Sequence, residues 1–84
     1  MYYVYLLKTS NGQIYKGVTG DLKRRFAQHE RGEERSTSRR RLLTLVGYEA
    51  YLLKSDAVRR ERFLKTTEGR RLLHQQYRDV LEKT

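Results

Sequence analysis

Two tyrosines ten residues apart, Tyr5 and Tyr15, precede three side chains of complementary chemistry: Arg25, His29 and Glu61. Hydrolysis of a phosphodiester needs an oriented water, neutralisation of the charge that crowds around phosphorus, and stabilisation of the departing oxygen. Phenol, guanidinium, imidazole and carboxylate groups cover these three needs together. The set is therefore a candidate site for phosphodiester cleavage.

Each side chain of the candidate set suits a particular task. Arg25 presents a planar fork to phosphate oxygens and stays charged at any working pH. A phenol is a poor base near neutrality unless nearby cations favour the phenolate. We assign the activation or orientation of water to Tyr15, with Tyr5 as the alternative. His29 could take the proton from either tyrosine, because histidine ordinarily titrates at about pH 6.5.

The composition favours a polyanionic partner and one compact unit. Lysine and arginine number 19 against 10 acidic residues, which gives a formal net charge of +9 over 84 residues. Such a charge creates positive potential over the surface and predicts DNA as the partner, with RNA as an alternative. The length suits a single domain over residues 1–84. Without cysteine, neither disulfides nor a thiolate metal site can stabilise the fold.

The apolar segments are short, which indicates a cytoplasmic protein. No apolar run approaches the roughly 20 residues that a membrane-spanning helix needs. The chain also opens directly on a strand-like pattern rather than on a basic leader followed by an apolar stretch. We therefore expect no association with a membrane.

A hairpin is predicted at the start of the chain, where residues 2–8 and 13–18 flank a turn of Ser, Asn and Gly. A two-residue turn would pair Ser10 with Gln13 and send Tyr5 and Tyr15 to opposite faces. A three-residue loop with a left-handed Gly12 in a bulge instead places both phenols on one face. We predict the bulged loop, with Tyr5 opposite Gly17 and Tyr15 opposite Leu7. The other face then carries an apolar strip of Val4, Leu6, Ile14 and Val18.

A helix over residues 21–31 is predicted next, capped by Asp21 and ended by Gly32. Leu22 and Phe26 are its expected buried anchors. Arg25 and His29 are four residues apart and share one stripe of this helix.

Two further stretches are expected to contact nucleic acid. Residues 33–41 contain no apolar side chain, so we predict a mobile loop whose Arg39, Arg40 and Arg41 contact phosphates. Lys16 alternates to the strand face opposite Tyr15, which favours a contact at the rim of the site over a catalytic role. Gly17 allows close approach of backbone or substrate.

The rest of the chain predicts a third strand and two helices. Residues 42–53 suit a strand, and Ser55 or Asp56 can cap a helix that ends near Thr66. Gly69 breaks the helical pattern, and residues 70–82 resume it with Leu73, Tyr77, Val80 and Leu81 on one side. The predicted fold class is α/β: a small three-stranded antiparallel sheet flanked by helices, in the order strand, strand, helix, strand, helix, helix.

The chain resembles the GIY-YIG nuclease family, most closely its small single-domain members, over nearly its whole length. Tyr3-Val4-Tyr5 and Tyr15-Lys16-Gly17 correspond to the two elements that give the family its name. Arg25 lies where the helical arginine of the family belongs, and His29 follows it as in a subset of members. The resemblance implies the roles of these residues in cleaving DNA.

The resemblance extends to Arg60-Glu61, which matches the segment holding the metal-binding glutamate of the family, and to Phe63-Leu64-Lys65-Thr66. It implies one divalent ion, Mg²⁺ or Mn²⁺, held by Glu61, water and the phosphate. Lys65 is a further expected contact to nucleic acid.

We therefore predict a metal-dependent endonuclease that hydrolyses DNA phosphodiester bonds. The chain shows no appended recognition domain, which favours structure-directed or weakly sequence-specific cutting. Two alternatives remain open: a binding module that holds DNA or RNA on the same scaffold without cleaving it, and a nuclease subunit that needs a partner.

Overall fold

A computed structural model describes residues 1–33 and 42–84 of the chain. The elements follow one another in the predicted order, with the last helix divided in two. They are β1 (Tyr2–Thr9), β2 (Ile14–Thr19), α1 (Leu22–Glu30), β3 (Leu43–Tyr51), α2 (Lys54–Leu64), α3 (Thr67–Gln76) and α4 (Arg78–Lys83). The three strands form one antiparallel sheet in the order β2-β1-β3, which confirms the predicted fold class. The predicted basic contacts Arg39, Arg40 and Arg41 lie outside the described residues.

The β1–β2 hairpin has the predicted three-residue loop. The amide of Thr9 donates to the Gln13 carbonyl over 2.9 Å, and the amide of Gly12 donates to the Thr9 carbonyl over 2.9 Å. Gly12 has a φ of 86°, in the left-handed region that glycine tolerates without strain. Tyr5 consequently pairs with Gly17 and Leu7 with Tyr15, so the predicted register is confirmed.

The two faces of the sheet bury different sets of side chains, because successive residues of a strand point to opposite sides. One face packs against α2 and α3 through a core of Val4, Leu6, Val46, Ala57, Leu64 and Leu73. Ile14 and Val18 pack at the border of this core, so the predicted apolar strip is confirmed. Fully burying one such aliphatic side chain is worth about 1.5 to 3 kcal/mol, so this face supplies most of the apolar stabilisation. The other face carries Tyr5 and is approached by α1.

Helix α1 begins as predicted but buries a different residue. The side chain of Asp21 caps the helix by accepting from the amide of Arg24 over 3.1 Å. Leu22 and Phe26, the expected anchors, are only half-buried, whereas His29 is 1% exposed. The prediction of apolar anchors was wrong because α1 packs on a polar cluster around Tyr5 rather than on the aliphatic core.

The beginning of α2 also differs from the prediction. Leu53 occupies the N-cap position and provides no side-chain cap, so neither Ser55 nor Asp56 has the predicted role. Asp56 lies in the first turn of the helix and pairs with Arg59 over 2.8 Å. Its negative charge still complements the helix dipole there.

Gly69 lies inside α3 rather than at a break, which contradicts the prediction. Thr66 caps α3 by accepting from the amide of Gly69 over 3.0 Å. A Cβ at residue 69 would lie 1.9 Å from the carbonyl oxygen of Phe63, so only glycine fits where the two helices meet. The interruption falls at Tyr77 instead, which separates α3 from α4. Within residues 1–33 and 42–84, no helix has both the length and the apolar character needed to cross a bilayer.

Candidate active site

Tyr5 is the centre of a polar cluster on the face of the sheet that α1 approaches. Its side chain is 1% exposed, and its hydroxyl lies 2.9 Å from Nε2 of His29. The Nε–H group of Arg25 donates to the same hydroxyl oxygen over 3.2 Å. The Tyr5 hydroxyl therefore links the Arg25 guanidinium to the His29 imidazole within one buried cluster.

Helix α1 brings Arg25 and His29 to Tyr5 because the two residues are four apart and share one helix face. Arg25 also donates from Nη1 to Oε1 of Gln28 over 3.3 Å, which fixes the plane of its guanidinium. The side chain remains only half-buried. A cleft of about 400 Å³ opens beside it, lined by Thr19, Gly20, Asp21, Arg24, Arg25 and Gln28. A ligand that enters this cleft would therefore lie beside the Arg25 side chain.

The surroundings of Tyr5 keep its hydroxyl protonated. Burial, together with the nearby Tyr15, raises its pKa from 10.0 to about 12. The hydrogen bond and charge of Arg25 act in the opposite direction but do not offset the burial. Tyr5 is therefore a neutral hydrogen-bonding group near neutral pH, which makes it unsuited to serve as a base.

Tyr15 lies beside this cluster and is more accessible than Tyr5. Its ring centroid is 6.1 Å from that of Tyr5 and 5.0 Å from that of His29. It is half-buried, whereas both of its ring neighbours are almost fully buried. Of the two phenols, Tyr15 is the one that can meet water or a ligand.

Gly17 provides the space that the Tyr5 ring occupies. A Cβ at residue 17 would lie 2.4 Å from the Tyr5 hydroxyl oxygen and 2.5 Å from the carbon that bears it. The predicted close approach at this glycine is therefore made by Tyr5 of the same chain.

Glu61 lies on a different part of the structure from the other four candidates. It is carried by α2, the helix that covers the opposite face of the sheet, and its side chain is 17% exposed. Its carboxylate pairs with Nζ of Lys65 over 2.8 Å. Within the described residues it makes no hydrogen bond or ion pair to Tyr5, Tyr15 or the α1 residues. The structure thus joins four of the five predicted residues directly and places the fifth across the sheet.

The donor set at Glu61 fits a hard divalent ion that takes most of its ligands from water and substrate. No group of three or more histidine, cysteine, aspartate or glutamate residues occurs in residues 1–33 or 42–84. A partly exposed carboxylate is the type of protein ligand that Mg²⁺ uses together with phosphate oxygens. Lys65, the present partner of the carboxylate, is 52% exposed and can be exchanged for an ion.

Lys16 is buried rather than at the rim of the site, which corrects the prediction. It lies opposite Leu6 in the ladder and therefore points to the core face, where it is 9% exposed. Burial, followed by the charges of Arg70 and Lys65, lowers the pKa of Lys16. Its contact with nucleic acid stays a prediction, as does that of Lys65.

A network around Glu49 was missed by the sequence reasoning. Glu49 accepts from Arg60 over 2.9 and 3.2 Å, and from the hydroxyls of Tyr51 and Tyr77 over 2.8 and 3.0 Å. Burial opposes ionisation of Glu49, but these bonds outweigh it and hold its pKa below the usual range. The sign of this network in the sequence is a single carboxylate, Glu49, in an otherwise mostly apolar strand. Arg60, the residue before Glu61, connects α2 to β3 through this network.

Comparisons with known proteins identify related chains. Residues 1–77 match the family model described as the GIY-YIG catalytic domain. The UPF0213 protein Reut_B5558 of Cupriavidus pinatubonensis is 43% identical over 61 residues, which cover 71% of this chain and 68% of that protein. A UPF0213 protein of Staphylococcus aureus is 39% identical over 66 residues, covering 77% and 80%. The solution NMR structure of the UPF0213 protein BH0048 from Bacillus halodurans superimposes with a TM-score of 0.56 at 32% identity, covering 87% of this chain and 82% of that one.

Proposed function

This chain belongs to the GIY-YIG family, whose catalytic domain is generally that of a nuclease, and we propose that it is a metal-dependent endonuclease that hydrolyses phosphodiester bonds in DNA. The observation that carries the proposal is the convergence of Tyr5, Arg25 and His29 beside the more accessible Tyr15. A buried structural tyrosine needs a hydrogen-bond partner, but it does not need an arginine that also lines a cleft.

Tyr15 orients the attacking water in this proposal. The raised pKa of Tyr5 keeps that phenol neutral, and its hydroxyl is already bonded to Arg25 and His29. Tyr15 interacts with Tyr5 and His29 but is only half-buried, so it is the phenol that water can reach. An oriented phenol that hydrogen-bonds a water reduces the entropic cost of the attack.

Arg25 stabilises the charge that develops on the phosphate oxygens. Its Nε–H group donates to Tyr5 and its Nη1 group donates to Gln28, and the side chain lines the cleft. A guanidinium whose orientation is set before the substrate arrives needs little rearrangement during the reaction. Tyr5 and His29 are positioning residues in this account, because they act on the substrate through Arg25 and Tyr15.

Glu61 would hold the divalent ion together with water and a phosphate oxygen, and a bound ion would neutralise charge on the phosphate and the leaving oxygen. Glu61 is carried by α2, which packs against β2, the edge strand of the sheet and the strand that carries Tyr15. Mg²⁺ and Mn²⁺ both suit such a carboxylate and phosphate site.

We propose DNA as the substrate because the chain is strongly basic and because the proposed contacts are made to phosphate groups. The net charge of +9 favours a polyanion, and contacts from arginine to phosphate carry no sequence information. We therefore propose cutting with weak sequence specificity or cutting directed by DNA structure.

A cleavage panel tests this function. The wild-type chain is incubated with single-stranded, duplex, flap and branched DNA, and with RNA, in Mg²⁺, Mn²⁺ or a chelator. Arg25→Ala and Glu61→Ala are compared with Arg78→Ala and Glu82→Ala, which remove the same charges at exposed sites. We expect the wild type, Arg78→Ala and Glu82→Ala to cut DNA in Mg²⁺ or Mn²⁺ but not in chelator. Arg25→Ala and Glu61→Ala should not cut under any of these conditions.

The alternative of a pure binding module has its own outcome in the same panel. DNA or RNA binding that persists in chelator, without cutting of any substrate in either metal, would support it. Cutting that appears only after addition of a cell extract would support a subunit that needs a partner.

A further inference from the structure

Tyr48 exposes a large aromatic ring on the same face of the sheet as the candidate active site. It lies opposite Tyr5 in the β1–β3 ladder, and opposed residues of an antiparallel pair share one face. Tyr5 is almost fully buried, whereas Tyr48 is 55% exposed. The fold therefore does not use the ring of Tyr48 to build its core.

Tyr3 packs against Tyr48 and makes the exposed aromatic surface continuous. Tyr3 lies opposite Ala50, which places it diagonally across the ladder from Tyr48, within reach of an aromatic side chain. The two ring centroids are 5.8 Å apart at an interplanar angle of 71°, an edge-to-face contact that orients both rings. Ala50 is exposed as well, and its methyl group leaves this part of the face open to a flat ligand. Tyr3 and Tyr48 are called the tyrosine pair below.

The tyrosine pair adjoins the cationic cleft beside Arg25. On the other side of β1, Tyr3 lies opposite Thr19, which lines that cleft. The charged side chains of the cleft are Arg24, Arg25 and Asp21, and the carboxylate of Asp21 is bonded to the first turn of α1. Adjacent strands are about 4.8 Å apart, so one nucleotide can place its phosphate in the cleft and its base on the tyrosine pair.

We propose that the tyrosine pair stacks against an unpaired base of the DNA, next to the phosphate that the cleft beside Arg25 receives. Positive charge together with exposed aromatic rings is the combination that binds single-stranded nucleic acid. The bases of a duplex are already stacked on one another, so only a nucleotide that has left the stack presents a free face. The inference rests on the proposed function and narrows its substrate class to DNA with an unpaired nucleotide at the cut. Every base has an aromatic face, so this recognition needs no particular sequence.

Binding of uncut DNA tests the tyrosine pair. Fluorescence anisotropy in chelator compares a labelled single strand, a strand of the same length whose sugars carry no bases, and a fully paired duplex. We expect Tyr48→Ala to bind the single strand at least about fivefold more weakly than wild type, the lower limit for loss of one stacked base. Tyr48→Phe retains the ring and should bind as wild type does. Leu52→Ala, which truncates an exposed apolar residue beyond β3, should also leave binding unchanged.

The strand without bases separates stacking from an indirect effect on the fold. Wild type and Tyr48→Ala should bind this strand equally well, and likewise the duplex, because neither DNA offers a free base to the tyrosine pair. The salt dependence of binding should be the same in both proteins, since no phosphate contact is lost. Thermal unfolding checks that each variant is folded. Tyr48→Leu keeps an apolar side chain without an aromatic face and replaces Tyr48→Ala if that variant does not fold.

Equal affinity of wild type, Tyr48→Ala and Tyr48→Leu for the single strand would overturn the stacking role. A loss of the same size on the strand without bases would overturn it too, as would a wild type that binds no single-stranded DNA. Because binding is measured without metal, the result does not depend on cleavage. A chain that never cuts DNA but shows the base-dependent loss would retain the stacking role and lose the nuclease function. A chain that cuts DNA while both variants bind normally would show the reverse.

Discussion

Tyr5 and Gly17 face each other across the β1–β2 ladder, and the tyrosine ring fills the space where a side chain at residue 17 would lie. This relationship lets the ring lie flat against the strand while its hydroxyl reaches Arg25 and His29. The glycine thus determines the position of the polar cluster without contributing a functional group.

Gly17→Ala should displace the Tyr5 ring, because the new methyl group would lie 2.4 Å from the hydroxyl oxygen. Overpacking of this kind costs about 1 to 3 kcal/mol, so we expect a lower Tm and severely reduced cleavage. Gly20→Ala is the matched control, since its methyl group would lie 3.8 Å from the nearest atom, on Tyr2. Equal Tm and cleavage rates for the two variants would contradict the proposed packing.

Tyr5→Phe should destabilise the fold more than it alters the shape of the site. The change removes one oxygen that serves both Arg25 and His29 in a buried setting. Loss of such a partner costs about 1 to 3 kcal/mol, which urea unfolding can measure. Tyr3→Phe changes a half-buried tyrosine of the same strand face and is the control. A free energy of unfolding within error of wild type would argue against the hydrogen bonds to Tyr5.

Arg25→Lys should cleave DNA poorly although it keeps the charge. A lysine cannot hold Tyr5 and present a planar pair of donors to a phosphate at the same time. We expect a loss on the order of a hundredfold in single-turnover rate, the range found for removal of one transition-state donor. Rates close to wild type would show that charge alone is needed at this position.

Alkaline titration should show that some of the seven tyrosines in the chain ionise late, and that Tyr5 and Tyr77 are among them. Burial raises the pKa of both Tyr5 and Tyr77 from 10.0 to about 12, and the bond of Tyr77 to Glu49 adds to the effect. The folded chain therefore keeps protons that the unfolded chain loses near pH 10. Their contribution to stability is fully present below pH 10 and is lost as the pH rises toward about 12. The absorbance of the phenolate should therefore rise in a late phase at high pH. In Tyr5→Phe the amplitude of that phase should be smaller by the contribution of one tyrosine.

The hairpin and the joining of Tyr5, Tyr15, Arg25 and His29 could be predicted from the sequence. The signals there are local: a glycine that needs a positive φ, strand alternation, and a helix with a good cap. The burial of Lys16 and His29 could not be predicted, because polar residues are usually exposed and only tertiary packing reverses this. The place of Gly69 inside α3 was missed for a related reason, since low helix propensity was outweighed by the close approach to Phe63.

The position of Glu61 shows the same limit. Its location on α2 followed from helical spacing, but the face of the sheet that α2 covers depends on which strand residues are apolar. The position of its carboxylate relative to the tyrosines therefore could not be predicted before the arrangement of the sheet was known.

The single-turnover rate of Tyr15→Phe tests the central claim most directly, that the cluster around Tyr5 is where DNA is cut. The variant removes one oxygen from a half-buried residue, so folding and DNA binding in chelator should be retained. We expect the cleavage rate to fall by about a hundredfold, because the attacking water is no longer held in position. Cleavage by Tyr15→Phe at the wild-type rate, in the same metal and on the same DNA, would contradict it.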